Sequence, residues 1–447
     1  MKGFKRVLFL LSFLLLITVP VHATSVNGSN EVIYSIMVDR FNNGDPTNDY
    51  DVNTNDQHAY HGGDLKGISA KLDYIKDMGF TTILLSSIFG NGQKYKSGDQ
   101  IDYFEVDQHF GSIEDLRSLI GDAHEKNLKV MIEFPASASI NEDELLNAGA
   151  MWVNETGIDG YHLTNMNQVS VDFWVDFYQE ITNVNKEFLF IAEANKSDLE
   201  TYKSVGFTYL ADPTIYQEAA SILSDSDQSF SDSIIDTEQL SVKYVDSKDT
   251  IRFTRRSLEN EEHPVTRLKL ALSYLYLTPG VPIIYYGTEI VQDGGEPPTN
   301  SPLMNFRTDD ELEKYMTMLS KIRSGVPSIT KGNYDVLHQT EDGMLVLKST
   351  YEERTDIVVI NNSTKTQKVT INSEELDDNK QLRGLIEENV FVEEAGEYTI
   401  ILDREKAEVF HLEDRQGINI GFVLTIVIIP LLMIVFFILN RRKHQKR

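Results

Sequence analysis

The stretch DYFEVDQHFGSIEDLRSLIGDAHEKNLKVMIE, residues 102–133, combines a helix start with a buried strand and indicates the type of fold that much of the chain adopts. Ser112 and Asp115 have the spacing of a capping box, in which two side chains bind the free N–H groups of a helix's first turn. The apolar run Lys129–Pro135 that follows is typical of a strand buried on both faces of a sheet. The stretch therefore predicts one helix–strand unit of an α/β fold.

The same unit recurs through the larger part of the chain. Apolar residues fall at helical spacing at Leu65, Ile68, Leu72 and Ile75, for example. The predicted strands are Val32–Phe41, Thr81–Ser87, Lys129–Pro135, Gly157–Leu163, Glu187–Ala194, Phe207–Pro213, Leu240–Asp246 and Val281–Gly287. Eight alternating units predict a (β/α)₈ barrel, a fold whose active sites lie at the carboxyl ends of the strands.

Beyond Ser328 the pattern changes to short strands that turn residues separate. The strand candidates are MLVLKST, DIVVINN, QKVTINS and EYTIILD, with no helical pattern between them. Such a series predicts an antiparallel β-sandwich. The predicted domains are therefore a barrel at 24–328 and a sandwich at 329–413.

Both ends of the chain carry apolar segments of the kind that enter membranes. Residues 1–23 have a basic head, a short apolar run and a closing VHA, which predicts a cleaved signal peptide. Residues 418–439 are almost wholly apolar and predict a transmembrane helix, and the basic tail at 440–447 marks the cytoplasmic side. Together these segments predict a single-pass cell-membrane protein with an extracellular barrel and sandwich.

The charge and the cysteine count narrow the class of protein. The formal net charge is −28, and the basic residues at the two ends lie outside the predicted folded body. So acidic a body argues against nucleic acid as a partner and is compatible with neutral ligands or bound cations. The chain has no cysteine, which excludes disulfides and thiolate metal sites. An exported protein without disulfides fits a bacterial envelope better than an animal secretory route.

Four long blocks resemble the α-amylase family. They are NEVIYSIMVDRFNNGDPTND (30–49), HGGDLKGISAKLDYIKDMGFTTILLSSIF (61–89), the stretch quoted first (102–133) and TPGVPIIYYGTEI (278–290). That family comprises glycoside hydrolases and transglycosylases that act on α-glucans, and its fold is a (β/α)₈ barrel followed by a β-sandwich. The resemblance implies the same architecture here. The connection at 136–156 is too short, however, for the small domain that the family usually inserts between strands three and four.

The resemblance also implies a site with two catalytic carboxylates and a third that binds sugar hydroxyls. In FLFIAEAN, Glu193 matches the family's acid and base, and in KYVDSKDTIRF, Asp249 matches the third carboxylate. In GIDGYHLTNM (157–166), Thr164 occupies the position of the nucleophilic aspartate and His162 that of its supporting arginine. The chain therefore keeps two catalytic matches and lacks the nucleophile.

Two interpretations of Thr164 remain open. A hydroxyl attacks a sugar only when a base activates it, and a strand would place His162 on the same face. An ether-linked intermediate would turn over too slowly, which favours loss of the original task. Other substitutions favour the same conclusion: Glu133, Ser137 and Ala138 replace Asp, Asn and His, Ser247 and Lys248 replace Asn and His, and Gly98 replaces a stacking tyrosine. The implied substrate contacts that remain are Tyr95 and Asp99.

A cluster of oxygen-bearing residues near the first strand resembles a calcium site of some bacterial members of the family. The implied ligands are Asn43, Asp45, Asn48, Asp49, the Gly62 carbonyl and Asp64. Hard oxygen ligands suit Ca²⁺, and the ion would be structural, joining the first loop to the first helix. The alternative is an Asx-rich turn without a metal.

The sequence predicts a membrane-anchored, extracellular α-amylase-like protein of carbohydrate metabolism with degenerate catalytic residues. Its expected role is to bind an α-glucan or maltooligosaccharide, or to act as a scaffold at the cell surface. One alternative is an active glycoside hydrolase or transglycosylase with altered chemistry around Glu193 and Asp249. The other alternative is a protein-interaction subunit of a membrane complex.

Overall fold

A computed structural model describes residues 30–90, 101–235, 241–415 and 420–444. Its strands are numbered β1 to β18 in chain order. Eight of them form one parallel sheet: β1 (Ile33–Ile36), β2 (Thr82–Leu85), β5 (Lys129–Pro135), β6 (Gly160–Thr164), β7 (Leu189–Glu193), β8 (Tyr209–Ala211), β9 (Val242–Lys243) and β10 (Val281–Tyr285). A separate two-stranded sheet pairs β3 (Phe89–Gly90) with β4 (Asp102–Val106).

The parallel sheet forms a barrel of the TIM type. Its strand order is β8-β7-β6-β5-β2-β1-β10-β9, and a parallel bridge between Leu210 of β8 and Ser241 beside β9 joins the outer strands. Parallel neighbours need crossover connections, which helices provide. All eight predicted strands are present, and the predicted (β/α)₈ architecture is confirmed.

The first predicted strand, Val32–Phe41, is wrong in its C-terminal half. β1 ends at Ile36, and Val38–Phe41 forms one turn of helix in which all four residues are buried. The chain turns here because the Asp39 carboxylate accepts a hydrogen bond from the backbone N–H of His61 at 2.7 Å. A contact between residues so far apart in the chain leaves no signal in the local apolar pattern.

Helices connect the barrel strands. The predicted capping box is confirmed: Asp115 N donates to Ser112 Oγ at 3.2 Å, and Ser112 N donates to Asp115 Oδ2 at 2.9 Å. The helices before the C-terminal domain are Val38–Phe41, Leu65–Ser69, Leu72–Asp77, Ile113–Glu125, Glu142–Thr156, Val171–Val184, Lys196–Val205, Pro213–Leu223, Phe253–Glu259, Pro264–Leu277, Glu311–Gly325 and Pro327–Lys331.

The inside of the barrel is packed with side chains and is not a pore. Apolar side chains from several strands meet there, among them Ile33, Leu84, Met131, Ile191 and Val281. A second and larger cluster contains both tryptophans of the chain, Trp152 and Trp174, which are fully buried. Neither indole is therefore available to stack on a ligand.

The C-terminal domain is antiparallel, as predicted. Its strands are β11 (Asn333–Gln339), β12 (Met344–Tyr351), β13 (Arg354–Asn361), β14 (Gln367–Asn372), β15 (Lys380–Gly384), β16 (Val390–Val392), β17 (Glu397–Leu402) and β18 (Lys406–Asp414). One six-stranded sheet has the order β11-β12-β13-β18-β15-β16, and β14 pairs with β17 in a second sheet. Apolar residues of both sheets share one core, as in a sandwich.

The two ends of the chain are described only in part. The predicted signal peptide, 1–23, lies outside the described residues. The last helix is Ile420–His444, with Pro430 inside it, and its described side chains, 424–437, are exposed. A search for a membrane-crossing helix among the described residues finds none of sufficient length and apolar character. The predicted span 418–439 begins and ends beyond the side chains that the structure describes.

Candidate active site

A pocket opens at the carboxyl ends of the barrel strands and encloses about 770 Å³ of empty volume, part of it open to solvent. Four residues predicted for the site line it together with three of the substituted positions: Glu133, His162, Thr164, Glu193, Ser247, Lys248 and Asp249. The barrel thus brings together residues from β5, β6, β7 and the turn after β9. Sugar-binding candidates Tyr95 and Asp99, and Gly98 beside them, lie outside the described residues.

The position of β6 explains how His162 and Thr164 enter the pocket. Successive residues of a strand point to opposite faces, so these two side chains share one face and the fully buried Leu163 lies on the other. At Gly160 an added Cβ would lie 2.6 Å from the carbonyl oxygen of Leu189 in β7. Only glycine therefore allows the two strands to approach this closely at the base of the site.

Thr164 is buried, with 7% of its surface exposed. Its hydroxyl donates a hydrogen bond to Glu133 Oε1 at 3.3 Å. His162 contacts a different carboxylate: its Nε2 lies 3.2 Å from Glu193 Oε2. The contacts described for the two residues thus lead to separate partners, and they do not support the hypothesis that His162 acts as a base on the Thr164 hydroxyl.

The imidazole of His162 also affects the charge of Glu193. Burial raises the pKa of the Glu193 carboxyl, but His162 and, more weakly, Lys248 lower it, and the net shift is downward. A carboxyl with a depressed pKa is ionised at neutral pH. A general acid must instead hold a proton until the leaving group takes it, which requires a raised pKa.

Lys248 links two carboxylates of the pocket. Its Nζ lies 3.2 Å from Glu133 Oε1 and 2.8 Å from Asp249 Oδ2. Burial acts to lower the pKa of the Lys248 amine, but the two carboxylates outweigh it and raise the pKa overall. The amine is therefore an ammonium ion at all physiological pH values, and it neutralises part of the negative charge of the pocket.

A single asparagine fixes the turn that carries Lys248. Asn300 is fully buried, and its side-chain amide lies 3.2 Å from the carbonyl oxygen of Ser247, 2.9 Å from that of Lys248 and 2.8 Å from that of Thr250. The backbone of the turn is thus held in one conformation. No local sequence pattern indicated Asn300, because its partners are about fifty residues away in the chain.

Two other substituted positions lie away from the pocket lining. Ser137 and Ala138 follow β5 in a turn, where Ser137 Oγ contacts Ser139 Oγ at 2.7 Å and Ala138 is exposed. By contrast, Glu133 belongs to the site. The sequence identifies it only as the replacement of a family aspartate and does not predict its contacts in the pocket. Its carboxylate accepts from Thr164 and pairs with Lys248.

Five of the six residues predicted to bind calcium lie close to one another in two groups, Asp45 with Asp64 and Asn43 with Asp49 and Gly62. Asp64 Oδ2 accepts hydrogen bonds from the backbone N–H groups of Gly44 and Asp45 at 2.9 and 2.8 Å. An added Cβ at Gly62, whose φ is +93°, would lie 2.9 Å from both Asn43 Nδ2 and Asp49 Oδ1. Asn43 and Asp49 thus lie against the Gly62 backbone, and the Asn43 amide donates to both carboxylate oxygens of Asp49 at 2.9 Å.

Three observations bear on whether this loop fits a cation. The buried Asn48 Oδ1 has no hydrogen-bond partner, so one acceptor of the predicted ligand set is orphaned. Lys66 Nζ lies 2.5 Å from Asp45 Oδ2 and supplies some positive charge there. Within the described part of the chain, no group of three or more His, Cys, Asp or Glu side chains is arranged to hold a metal ion. The oxygen set fits a calcium ion that amide and carbonyl oxygens help to bind, and calcium stays a prediction.

Comparisons with known proteins agree with this fold. Two family models match the chain, the α-amylase catalytic domain over residues 35–139 and the α-amylase C-terminal domain over residues 332–410. The crystal structure of an Anoxybacillus α-amylase is 39% identical, with a TM-score of 0.81, over 87% of this chain and 99% of that chain. The α-amylase of Geobacillus thermoleovorans, solved with acarbose, is 34% identical, with a TM-score of 0.78, over the same shares of the two chains.

A parallel barrel with polar side chains at the carboxyl ends of its strands defines the (β/α)₈ class of enzyme folds. Within that class, the chain belongs to the α-amylase family. A β/α-amylase of Paenibacillus polymyxa is 28% identical over 87% of this chain and 38% of its own length. The chain therefore spans well under half of that relative.

Proposed function

We propose that this protein binds an α-glucan or maltooligosaccharide in the barrel pocket and does not hydrolyse it by the retaining mechanism of its family. The observation that carries the proposal is the buried Thr164 at the end of β6, whose hydroxyl is bound to Glu133. This position corresponds to the nucleophile in the family resemblance. The Glu133 carboxylate beside this hydroxyl is paired with the Lys248 ammonium, which weakens it as a base, so the hydroxyl is a poor nucleophile for forming the covalent glycosyl intermediate.

Two other features of the pocket support the same conclusion. Glu193 has a depressed pKa beside His162 and is a poor general acid at neutral pH. Lys248 neutralises Glu133 and Asp249, although negative charge would be needed to stabilise the cation-like transition state of glycoside cleavage. The first step of the retaining mechanism thus lacks both a carboxylate nucleophile at position 164 and a protonated acid.

Sugar binding is supported by the fold, by the pocket and by the relatives. The pocket lies at the carboxyl ends of the barrel strands, where enzymes of this fold bind their ligands, and polar groups line it. The relatives are α-amylase-family glycosidases, including a cyclomaltodextrinase of Thermoanaerobacter pseudethanolicus that is 24% identical. An α-glucan is therefore the ligand class that we propose.

Calorimetry and an activity assay on the same preparation test this proposal. We expect maltoheptaose to bind with an affinity in the micromolar to millimolar range, and we expect no release of reducing ends from starch. The matched control is Glu193→Gln, which should leave the hydrolysis rate at the same background. Turnover that Glu193→Gln abolishes would refute the loss of hydrolysis, and absence of binding to any linear or cyclic α-glucan would refute the ligand class.

An active glycosidase with altered chemistry is the second candidate, and one observation favours it. The Glu133 carboxylate lies 3.3 Å from the Thr164 hydroxyl, so a negatively charged group still lies next to the nucleophile position. If Glu133 served as the nucleophile, Glu133→Gln would abolish turnover and a mechanism-based glycosyl fluoride would label that residue. Peptide mapping after incubation with the fluoride distinguishes the two candidates.

We further propose that the protein is anchored in the cell membrane by residues 418–439, with the barrel outside the cell, and that the loop at 43–64 binds one structural Ca²⁺. The apolar C-terminal sequence and its basic flank support the anchor. The orphaned Asn48 oxygen and the oxygen-bearing side chains of the loop support the ion.

A further inference from the structure

The ion pair between Lys248 and Glu133 crosses the mouth of the barrel. Lys248 follows β9 and Glu133 lies in β5, and these strands are four positions apart in either direction around the eight-stranded sheet. The lysine side chain therefore reaches from one side of the pocket to the opposite side. Asp249, the second partner of the ammonium, lies on the side from which the lysine starts.

The charges of the pocket are unequal. Four of the described lining residues are carboxylates, Glu133, Glu193, Asp246 and Asp249, and one, Lys248, is a lysine. Glu133 is 7% exposed, so its charge depends on a nearby cation for compensation. The Lys248 side chain is 23% exposed, and the Asn300 amide fixes the backbone beneath it. This arrangement differs from a flexible ion pair on a surface.

We propose that Lys248 is a built-in cationic occupant of the pocket, which excludes positively charged ligands and makes the site specific for neutral sugars. The inference rests on the proposed function, because it concerns the same pocket and the same class of ligand. Removing the ammonium leaves Glu133 and Asp249 facing an empty space of side-chain width. A sugar analogue with a protonated ring amine then replaces the lost positive charge.

The specificity comes from competition between the Lys248 ammonium and a cationic ligand for the same two carboxylates, Glu133 and Asp249. A protonated iminosugar must displace the Lys248 ammonium, which is covalently tethered and already at contact distance from both carboxylates. A neutral sugar makes hydrogen bonds to the remaining polar groups without displacing it. The lysine therefore penalises positive charge on a ligand and leaves the binding of neutral ligands largely unchanged.

Calorimetric titration of two matched ligands tests the proposal. The probes are 1-deoxynojirimycin, at a mildly acidic pH that protonates its ring amine, and 1,5-anhydroglucitol, which has a ring oxygen in the same place. We expect Lys248→Met to bind the iminosugar at least about tenfold more tightly than the wild-type protein does. The neutral analogue should bind both proteins equally. Lys248→Arg keeps the charge and should behave as the wild type does.

Equal affinity of the iminosugar for the wild-type, Lys248→Met and Lys248→Arg proteins would overturn the proposal, as would a gain that the neutral analogue shares. Circular dichroism establishes that each variant is folded. Titration with maltoheptaose tests the proposed function separately: a wild-type protein that ignores maltoheptaose refutes glucan binding, while the iminosugar comparison still decides the role of Lys248.

A second measurement does not depend on the stability of Lys248→Met. In Lys248→Ala, propylammonium should fit the space that the lysine side chain leaves and should raise the melting temperature, whereas propanol at the same concentration should not. The wild-type protein should respond to neither. A melting temperature of Lys248→Ala that propylammonium leaves unchanged contradicts a cation-specific site.

Discussion

The family resemblance places several substitutions in the pocket around Thr164, so we expect that an aspartate at this position alone does not produce catalysis. In Thr164→Asp the new carboxylate would lie beside Glu133, whose Oε1 is 3.3 Å from the present hydroxyl, and like charges at that distance repel. Glu193 would still be ionised beside His162. We expect Thr164→Asp to stay at least about 10³-fold below an active family member on an activated maltoside.

The control for this prediction is the triple variant Thr164→Asp, His162→Arg and Lys248→His, which restores the family residues at three positions. It should release more 4-nitrophenol from the maltoside than the single variant does. Substantial turnover by Thr164→Asp alone would mean that the other substitutions leave the catalytic apparatus intact.

The protonation of Glu289 makes the stability of the barrel depend on pH. It is almost fully buried, and Tyr34 and Tyr74 donate hydrogen bonds to its Oε1, the latter at 3.1 Å. Burial raises the pKa of the Glu289 carboxyl to about 7 from a value of 4.5. The folded state therefore holds this proton more tightly than the unfolded state does, and stability falls as the pH rises from about 4.5 to about 7.

We expect Glu289→Gln to remove that part of the pH dependence, which amounts to about 3 kcal/mol at most for a shift of this size. Urea unfolding at several pH values gives the free energy of unfolding for each protein. The variant should lose less stability than the wild type does between pH 5 and pH 7. Glu200→Gln, on an exposed helix, is the control. If its free energy of unfolding changes with pH as that of Glu289→Gln does, the pH dependence does not come from Glu289.

At the scale of single elements, local sequence determines most of the barrel. Buried parallel strands are apolar on both faces, so each of the eight strands produces a recognisable run, and the pairing of Ser112 with Asp115 marks a helix start. The predicted end of the first strand was wrong because a long-range contact of Asp39 bends the chain there. Local patterns contain no record of such contacts.

The candidate site was predictable as a set of positions but not as a set of interactions. The family resemblance identified Thr164, His162 and Glu193 correctly as members of one pocket. The pairing of Lys248 with Glu133 depends on barrel closure, which brings together residues more than a hundred positions apart in the chain. Their mutual compensation of charge is visible only in three dimensions.

The loop at 43–64 should bind calcium and gain stability from it. A ligand that binds only the folded state, at a concentration one hundred times its dissociation constant, adds about 2.7 kcal/mol to the free energy of unfolding. We expect calcium to raise the melting temperature and a chelator to lower it, and Asp49→Ala to abolish both responses. Differential scanning calorimetry provides the measurement.

Asp64→Ala is a useful companion variant, because Asp64 also caps the helix Leu65–Ser69 through a hydrogen bond from Gly67 N at 2.6 Å. It should lose the calcium response and a further 1 kcal/mol or so of cap stability. If calcium and chelator leave the melting temperature of the wild type unchanged, the loop is an Asx-rich turn without a metal.

At the scale of the whole molecule, the proposed topology places the barrel close to the outer face of the membrane. The antiparallel domain ends at Asp414, and the proposed span begins at residue 418, so the connection between them is very short. A barrel so tethered samples only glucan near the cell surface. This restriction fits a binding protein or a scaffold better than it fits a diffusing digestive enzyme, because tethering raises the local concentration of a binding site without increasing the supply of substrate.

Proteolysis of intact cells or protoplasts that carry a C-terminal tag tests this topology. We expect external protease to remove the barrel and the antiparallel domain, and the tag beyond residue 447 to stay protected until detergent is added, because the basic flank at 441–447 holds the C-terminus on the cytoplasmic side. Replacing the basic residues of that flank with glutamine should weaken this orientation and expose part of the tag. A barrel that the protease cannot reach, or full-length protein released into the medium, would contradict the anchor, and glucan binding would then have to be explained for a protein that is not held at the surface.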